Sequence, residues 1–298
     1  MLRKPALVLP FFLVVCAAVS LHAAESAKQR LPNLTEKQFH QLQLLAQHGD
    51  PDAAATLGVA YEEGMHVQKD MTLALHWYNL AAAHENVEVL HHLGLLYQEG
   101  RLVPQNFTEA AEWYRKAAEL GYAPSQCNLA NLYRQGSGVP RNLEQAAKWY
   151  EVAARSGDVQ AQSNIGYMYD HGDGVVRDYQ QALYWYRKAA EQGFGIAQIS
   201  LGVMYKLGHG VEVNEEEALR WFAKAAAQGM SNALVYQALV YMQGTQVSHD
   251  YARASTLLAQ AVDAGQQDAA PLLQRCRRYA AQEGAPSTET ASHVSQRK

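Results

Sequence analysis

Residues 158–193 read DVQAQSNIGYMYDHGDGVVRDYQQALYWYRKAAEQG, and this stretch contains the grammar of the whole chain. Ala161, Ile165 and Tyr169, then Ala182, Trp185 and Ala189, recur at steps of three and four, which is the apolar stripe of two successive amphipathic helices. Gly172-Asp173-Gly174-Val175 separates them. Gly172 suits the left-handed residue that closes a helix. Asp178 suits the cap of the next one, with Gln181 three residues on to complete a capping box.

The stretch is written six times. Tyr61, Tyr97, Tyr133, Tyr169, Tyr205 and Tyr241 stand 36 residues apart without an insertion, and Trp77, Trp113, Trp149, Trp185 and Trp221 keep the same period. Asp70, Asn106, Asn142, Asp178, Asn214 and Asp250 occupy one cap slot, and Gly121, Gly157, Gly193, Gly229 and Gly265 end the second helices in register. Self-similarity at such a period means one supersecondary unit stacked on copies of itself, so the sequence predicts an all-α solenoid. Each second helix carries a small residue, an aromatic pair and two more small residues, as in Ala110, Trp113-Tyr114 and Ala117-Ala118. Alanine allows close helix approach and the rings fill the space between repeats, so the tryptophans are expected as interface fillers and not as a ligand box.

The flanks divide the rest. Residues 1–24 combine basic Arg3-Lys4, an apolar run from Ala6 to Val19 and small Ala23-Ala24, the three regions of a signal peptide cleaved after Ala23 or Ala24. The apolar run falls short of the roughly 20 residues a spanning helix needs, so periplasmic or secreted localisation is expected, with lipid attachment at Cys16 as the weaker alternative. Residues 25–49 hold a linker and a capping helix from Glu36 to His48. The repeats fill 50–265, a second capping helix lies in 266–282, and polar 283–298 reads as a disordered tail. Loss of Arg3 and Lys4 with the leader takes the formal charge from −4 to −6. No basic stripe suggests nucleic acid, and no other stretch suggests stable membrane insertion. Cys127 and Cys276 lie too many repeats apart to bridge.

The succession Leu-Gly-x-x-Tyr-x-x-Gly-x-Gly-Val, a capping residue, then Ala-x-x-Trp-Tyr-x-x-Ala-Ala-x-x-Gly, as in Ile165 to Gly193 with Ile for Leu, resembles the Sel-1-like repeat (SLR) family, a relative of the tetratricopeptide repeat. The resemblance covers about residues 50 to 265. Glu85 replaces a repeat-ending glycine and Ala130 a helical one. It implies a right-handed α/α superhelical solenoid of about six 36-residue helix-turn-helix repeats. It further implies a non-catalytic adaptor for another protein or peptide segment, similar in the bacterial branch to regulators of envelope signalling, secretion or surface assembly. A cysteine-rich subgroup acts on β-lactams, which makes a cell-wall-directed enzyme the alternative. This chain lacks that subgroup's paired cysteines, and its Ser-x-x-Lys match is Ser295 to Lys298 in the tail.

By analogy with tetratricopeptide superhelices, the first helices line the inner surface. Inward positions then fall two before, one after and four after the small residue of each unit: Ala55, Val59 and Glu62; His91, Leu95 and Gln98; Cys127, Asn131 and Arg134; Ser163, Tyr167 and Asp170; Ile199, Val203 and Lys206. These residues vary while their neighbours repeat, so the architecture is not expected to dictate them. His91, Leu95, Gln98, Asn131, Arg134, Tyr167, Asp170, Val203 and Lys206 are the candidate protein-binding residues, a mixed polar and apolar track suited to a peptide. No cofactor or metal is expected: adjacent His91 and His92 point about 100° apart on a helix, and the twelve histidines read as surface or partner-facing. Glu215-Glu216-Glu217 reads as a solvated helix start.

Overall fold

The computed structural model describes residues 27–101 and 103–283. The leader, Cys16, Ser295 and the tail after Glu283 lie outside the described residues. Among those described, the regular structure is entirely helical, and it forms two compact units divided between Arg177 and Asp178. The first contains α1 (Glu36–Gln47), α2 (Pro51–Glu63), α3 (Met71–Ala82), α4 (Val87–Glu99), α5 (Phe107–Glu119), α6 (Ala123–Gln135), α7 (Leu143–Arg155) and α8 (Val159–His171). The second contains α9 (Tyr179–Glu191), α10 (Gly195–Leu207), α11 (Glu215–Ala227), α12 (Ser231–Gln243), α13 (Tyr251–Asp263) and α14 (Ala270–Glu283). Within each unit consecutive helices pack on one another, α1 and α14 serving as the end helices.

The caps form as the sequence predicts. Asp70, Asn106, Asn142, Asp178, Asn214 and Asp250 each accept from first-turn amides of their helix, Asp178 from those of Gln180 and Gln181 at 2.9 and 3.1 Å. The reciprocal bond of a capping box is made at α1 instead, where the Thr35 amide donates to Gln38 and the Gln38 amide to Thr35 Oγ1. Gly172 closes α8 with φ 78°. Glu85, in the slot of the repeat-ending glycines, adopts φ 57°. A non-glycine residue is disfavoured in this left-handed region.

The aromatic pair divides its labour differently from the expectation. Tyr78, Tyr114 and Tyr150 in the first unit and Tyr186 and Phe222 in the second are the large rings of the core, whereas Trp77, Trp113, Trp149 and Trp221 are only half-buried. Of the tryptophans, Trp185 alone is buried. Lys116 and Lys224 lie over the rings of Trp113 and Trp221 at 4.1 and 3.8 Å, so the indoles form part of the outer surface as well as an interface. The reason is helical geometry. Adjacent residues are rotated by about 100°, and the alanine stripe aligns with the second ring of the pair.

That ring explains the small residue on the first helix. A Cβ at Gly94 would lie 2.4 Å from the Tyr114 ring, and one at Gly202 would lie 2.6 Å from the Phe222 ring. Helix and ring are therefore in direct contact, with no room for a methyl group. The interhelical loop has a second close approach: a Cβ at Gly174 would meet the backbone oxygen of Leu143 at 2.3 Å. In the last repeat this loop slot holds Gln246, and the fold compensates. Glu215, 4% exposed, accepts from the backbone amides of Thr245, Gln246 and Val247, each at 2.8 Å. The acidic run is thus not wholly solvated: Glu216 is exposed, but Glu215 pins a loop. Burial raises its carboxyl pKa, yet those amides outweigh burial and hold it below the ordinary range.

Candidate functional site

The first helices place the predicted track on two levels. The leading position is core in the first five repeats: Ala55, His91, Cys127, Ser163 and Ile199 are all buried, so His91 is not a surface residue. Its Nδ1 lies 2.8 Å from Ser125 Oγ, linking α4 to α6, and the rings of Tyr114 and Tyr122 pack beside it. Burial, followed by the neighbouring charge of His92, lowers its pKa to about 4. At neutral pH it is an uncharged hydrogen-bonding member of the core.

The other two positions explain much of the track's variation. Each core tyrosine must hydrogen-bond its hydroxyl within the protein, because burying it unpaired is costly. Tyr78 Oη donates to Glu62 Oε2 at 2.6 Å, and Tyr114 Oη donates to Gln98 Oε1 at 3.1 Å. Arg134, at the next copy of that position, has no acceptor to offer. Tyr150 Oη donates instead to Asn131 Oδ1 at 2.5 Å. Asn131, only 7% exposed, thus belongs to the core hydrogen-bond layer. At Lys206, likewise without an acceptor, the ring in the matching slot is Phe222, which has no hydroxyl. The architecture does dictate these residues, in pairs, contrary to the reading from variation among repeats.

Glu62, an inward position outside the nine candidates, sits at the centre of a cluster. His92 Nε2 approaches its Oε2 at 3.1 Å and an Arg101 guanidinium nitrogen its Oε1 at 3.4 Å, beside the Tyr78 hydroxyl. Burial works against this carboxylate, but His92, Tyr78 and Arg101 prevail and bring its pKa down to about 2. Burial and the Glu62 charge drive the Tyr78 phenol upward. His92 is largely enclosed, so the expectation of surface histidines fails for both members of the pair. The signal was present in the sequence: the slot of His92 is polar in the next three repeats, as Asn128, Asn164 and Ser200, all buried.

What remains accessible is narrower than the nine candidates. In the first unit Leu95, Gln98, Arg134, Tyr167 and Asp170 are half-buried. Leu95 packs on the Tyr114 cluster. The Tyr167 ring stacks on His171 at 4.0 Å between centroids, and His171 Nδ1 lies 3.8 Å from Asp170 Oδ2. Burial, then Asp173, raises the Tyr167 phenol pKa against the opposing effect of Arg134. In the second unit Val203 packs into the cluster around Phe222, and Lys206 is half-buried, with its pKa lowered by burial. None of the nine lines the 560 Å³ cleft around Tyr241, Ser248, His249 and Tyr251. Among the described residues no three His, Cys, Asp or Glu side chains are grouped to hold a metal ion, and no helix is long and apolar enough to cross a membrane.

The model of the family described as Sel1 repeat matches residues 51–86, 87–122, 123–158, 159–194, 195–230 and 233–266. Among solved structures, the chain is similar to a protective antigen present in uropathogenic Escherichia coli strains that displays an SLR fold. The identity is 37%, covering 78% of this chain and 50% of that one, with a TM-score of 0.72. It therefore spans about half the length of that antigen. It is also similar to a Sel1 repeat protein from Oxalobacter formigenes, at 30% identity over 83% of this chain and 73% of that one, with a TM-score of 0.67. No curated protein matches the chain.

Proposed function

We propose that this chain, which belongs to the Sel1 repeat family, is a non-catalytic exported scaffold that holds a segment of another protein on the first-helix face of its repeats. Sel1 repeats typically mediate protein–protein interaction, and the role we assign within that class is an adaptor or regulator of envelope signalling, secretion or surface assembly. The supporting observation is the group Arg134, Tyr167 and Asp170, half-buried on α6 and α8 above a core already filled by other side chains. Arg and Tyr are the usual anchors of such interfaces, combining contact area with directed hydrogen bonds. The basic, apolar and small-residue succession at the start supports export, as does the description of a relative as a protective antigen.

The test is capture from envelope extracts with the exported protein, read by mass spectrometry. Replacing Arg134 and Tyr167 together by alanine is expected to weaken capture by about 2–4 kcal/mol while the unfolding midpoint holds. Lys148→Ala with Glu119→Ala, two exposed positions on second helices, is the matched control. Loss of capture with the control pair alone would move the binding surface elsewhere. A mature protein that retains Met1 would remove the export half of the reading.

A further inference from the structure

In three regular repeats the loop between the two helices is sealed onto the repeat before it. A Cβ at Gly138, Gly174 or Gly210 would strike the backbone of Phe107, Leu143 or Tyr179, the first residue of the preceding second helix. In the last repeat the copies of those two slots are Gln246 and Glu215, and hydrogen bonds replace the close approach. The Glu215 carboxylate holds the loop amides, the Glu215 amide donates to Gln246 Oε1 at 3.1 Å, and Gln246 Nε2 donates to Val213 O at 3.0 Å. At this rebuilt junction, wholly inside the second unit, lies the 560 Å³ cleft. Its walls are the first turn of α11 with Glu216, the end of α12 with Tyr241, the loop with Ser248 and His249, and the start of α13 with Asp250 and Tyr251.

Most of these groups can still bond. Glu216 and Ser248 are exposed, and neither side chain has a hydrogen-bond partner among the described residues. Asp250 caps α13 through Oδ1, and its Oδ2 has no partner there. His249 Nε2 lies 3.1 Å from Gly244 O, which can only accept, so Nε2 carries the hydrogen and Nδ1 of the neutral ring is an acceptor. The Tyr251 ring is half-buried, and Tyr279, 42% exposed, continues the aromatic surface at 5.3 Å between centroids. The Arg253 guanidinium lies over the Tyr241 ring at 4.6 Å, so both signs of charge meet at the cleft.

We propose that this cleft binds a neutral oligosaccharide, at a site separate from the first-helix surface assigned to the protein partner. A sugar ring has an apolar C–H face and a rim of hydroxyls that both donate and accept. Tyr251 suits the face, the Glu216 and Asp250 carboxylates suit the donated hydrogens, and the Ser248 hydroxyl can serve either way. The volume falls within the range of small-ligand clefts, about 300–1,000 Å³. Charge selects against the alternatives. Glu216 and Asp250 repel a polyanion, and Arg253 opposes a polycation.

The experiment applies the purified full chain to an array of immobilised neutral, N-acetylated and acidic oligosaccharides that also carries lysine- and arginine-rich peptides. Sugars that are retained are then titrated by calorimetry. Expected is retention of neutral sugars that is indifferent to added salt, weakened about tenfold by Glu216→Gln and abolished by Ser248→Trp, which fills the cleft. Glu144→Gln, at the copy of the Glu216 slot two repeats earlier and likewise exposed, should change nothing. Unfolding midpoints of all three variants should match the parent's, and if Ser248→Trp lowers its own, Glu216→Gln alone decides. An array that retains no sugar would overturn the proposal. So would neutral sugars indifferent to Glu216→Gln, or retention confined to acidic sugars or basic peptides and lost in salt. None of these results bears on capture of a protein partner by the first-helix surface, which is measured separately.

Discussion

Lowering the pH from about 7.5 to about 4.5 is expected to remove about 2.5 kcal/mol of stability through His91 alone. His91 is 1% exposed, bonded to Ser125, with its pKa lowered from the usual 6.5 to about 4, mainly by burial and secondarily by His92. Above pH 6.5 it is neutral both folded and unfolded and adds no pH dependence. Below that value the unfolded chain takes up a proton that the folded imidazole refuses. Stability then falls with pH until the folded group protonates near 4. The difference between the two pKa values corresponds to about 3.4 kcal/mol once the pH is well below 4 and to about 2.5 kcal/mol at pH 4.5. Urea unfolding followed by tryptophan fluorescence, at both pH values, measures it in the parent and in His91→Asn, which keeps a polar group but takes up no proton. The variant should lose about 2.5 kcal/mol less than the parent over the interval. Glu62 does not confuse the comparison, since it is present in both proteins and its contribution fades only as pH falls from 4.5 towards 2. Equal losses in the two proteins, or a folded His91 that titrates near 6.5 by proton NMR, would refute the reasoning.

Tyr150→Ala should cost about 3–5 kcal/mol in chemical unfolding as a fully buried ring, and half-buried Trp149→Ala distinctly less; the reverse order would contradict the assignment of the core ring. Gly94→Ala should cost about 1–3 kcal/mol, because its methyl group would lie 2.4 Å from the Tyr114 ring, and a thermal midpoint equal to the parent's would count against that contact. Glu215→Gln should weaken the last loop by about 1–3 kcal/mol and speed hydrogen exchange of the amides of residues 245–247. With its folded pKa depressed, Glu215 stabilises fully above the usual carboxyl pKa, and that contribution is lost as pH falls through the depressed value. The destabilisation caused by Glu215→Gln should therefore shrink in acid.

Repetition made the local structure legible. Six uninterrupted copies specify helix lengths, caps and turn glycines, because these depend on residues within a few positions of one another along the chain. Single-residue phase was less secure. The pair Trp149-Tyr150 could be read with either ring inward, and its orientation follows from the side on which the neighbouring helix lies. The track carried the same uncertainty: its leading position turned into the core, taking His91 with it, and Asn131 was claimed by the Tyr150 hydroxyl.

The sequence by itself therefore determined a stack of helix pairs, its period, its caps and the slots where glycine is required, since periodicity and capping are encoded in local order. Only the tertiary structure decided which polar residues are engaged inside and which remain available. Tyr78 finds Glu62 16 residues away, His92 finds it 30 away, and the loop after Gly244 finds Glu215 across a similar distance. Arg134 Nε, by contrast, is enclosed and finds no hydrogen-bond partner among the described residues, a property of the folded surroundings that no motif spells out. Burial makes the difference matter: a polar group removed from water must be satisfied by whatever the fold brings beside it.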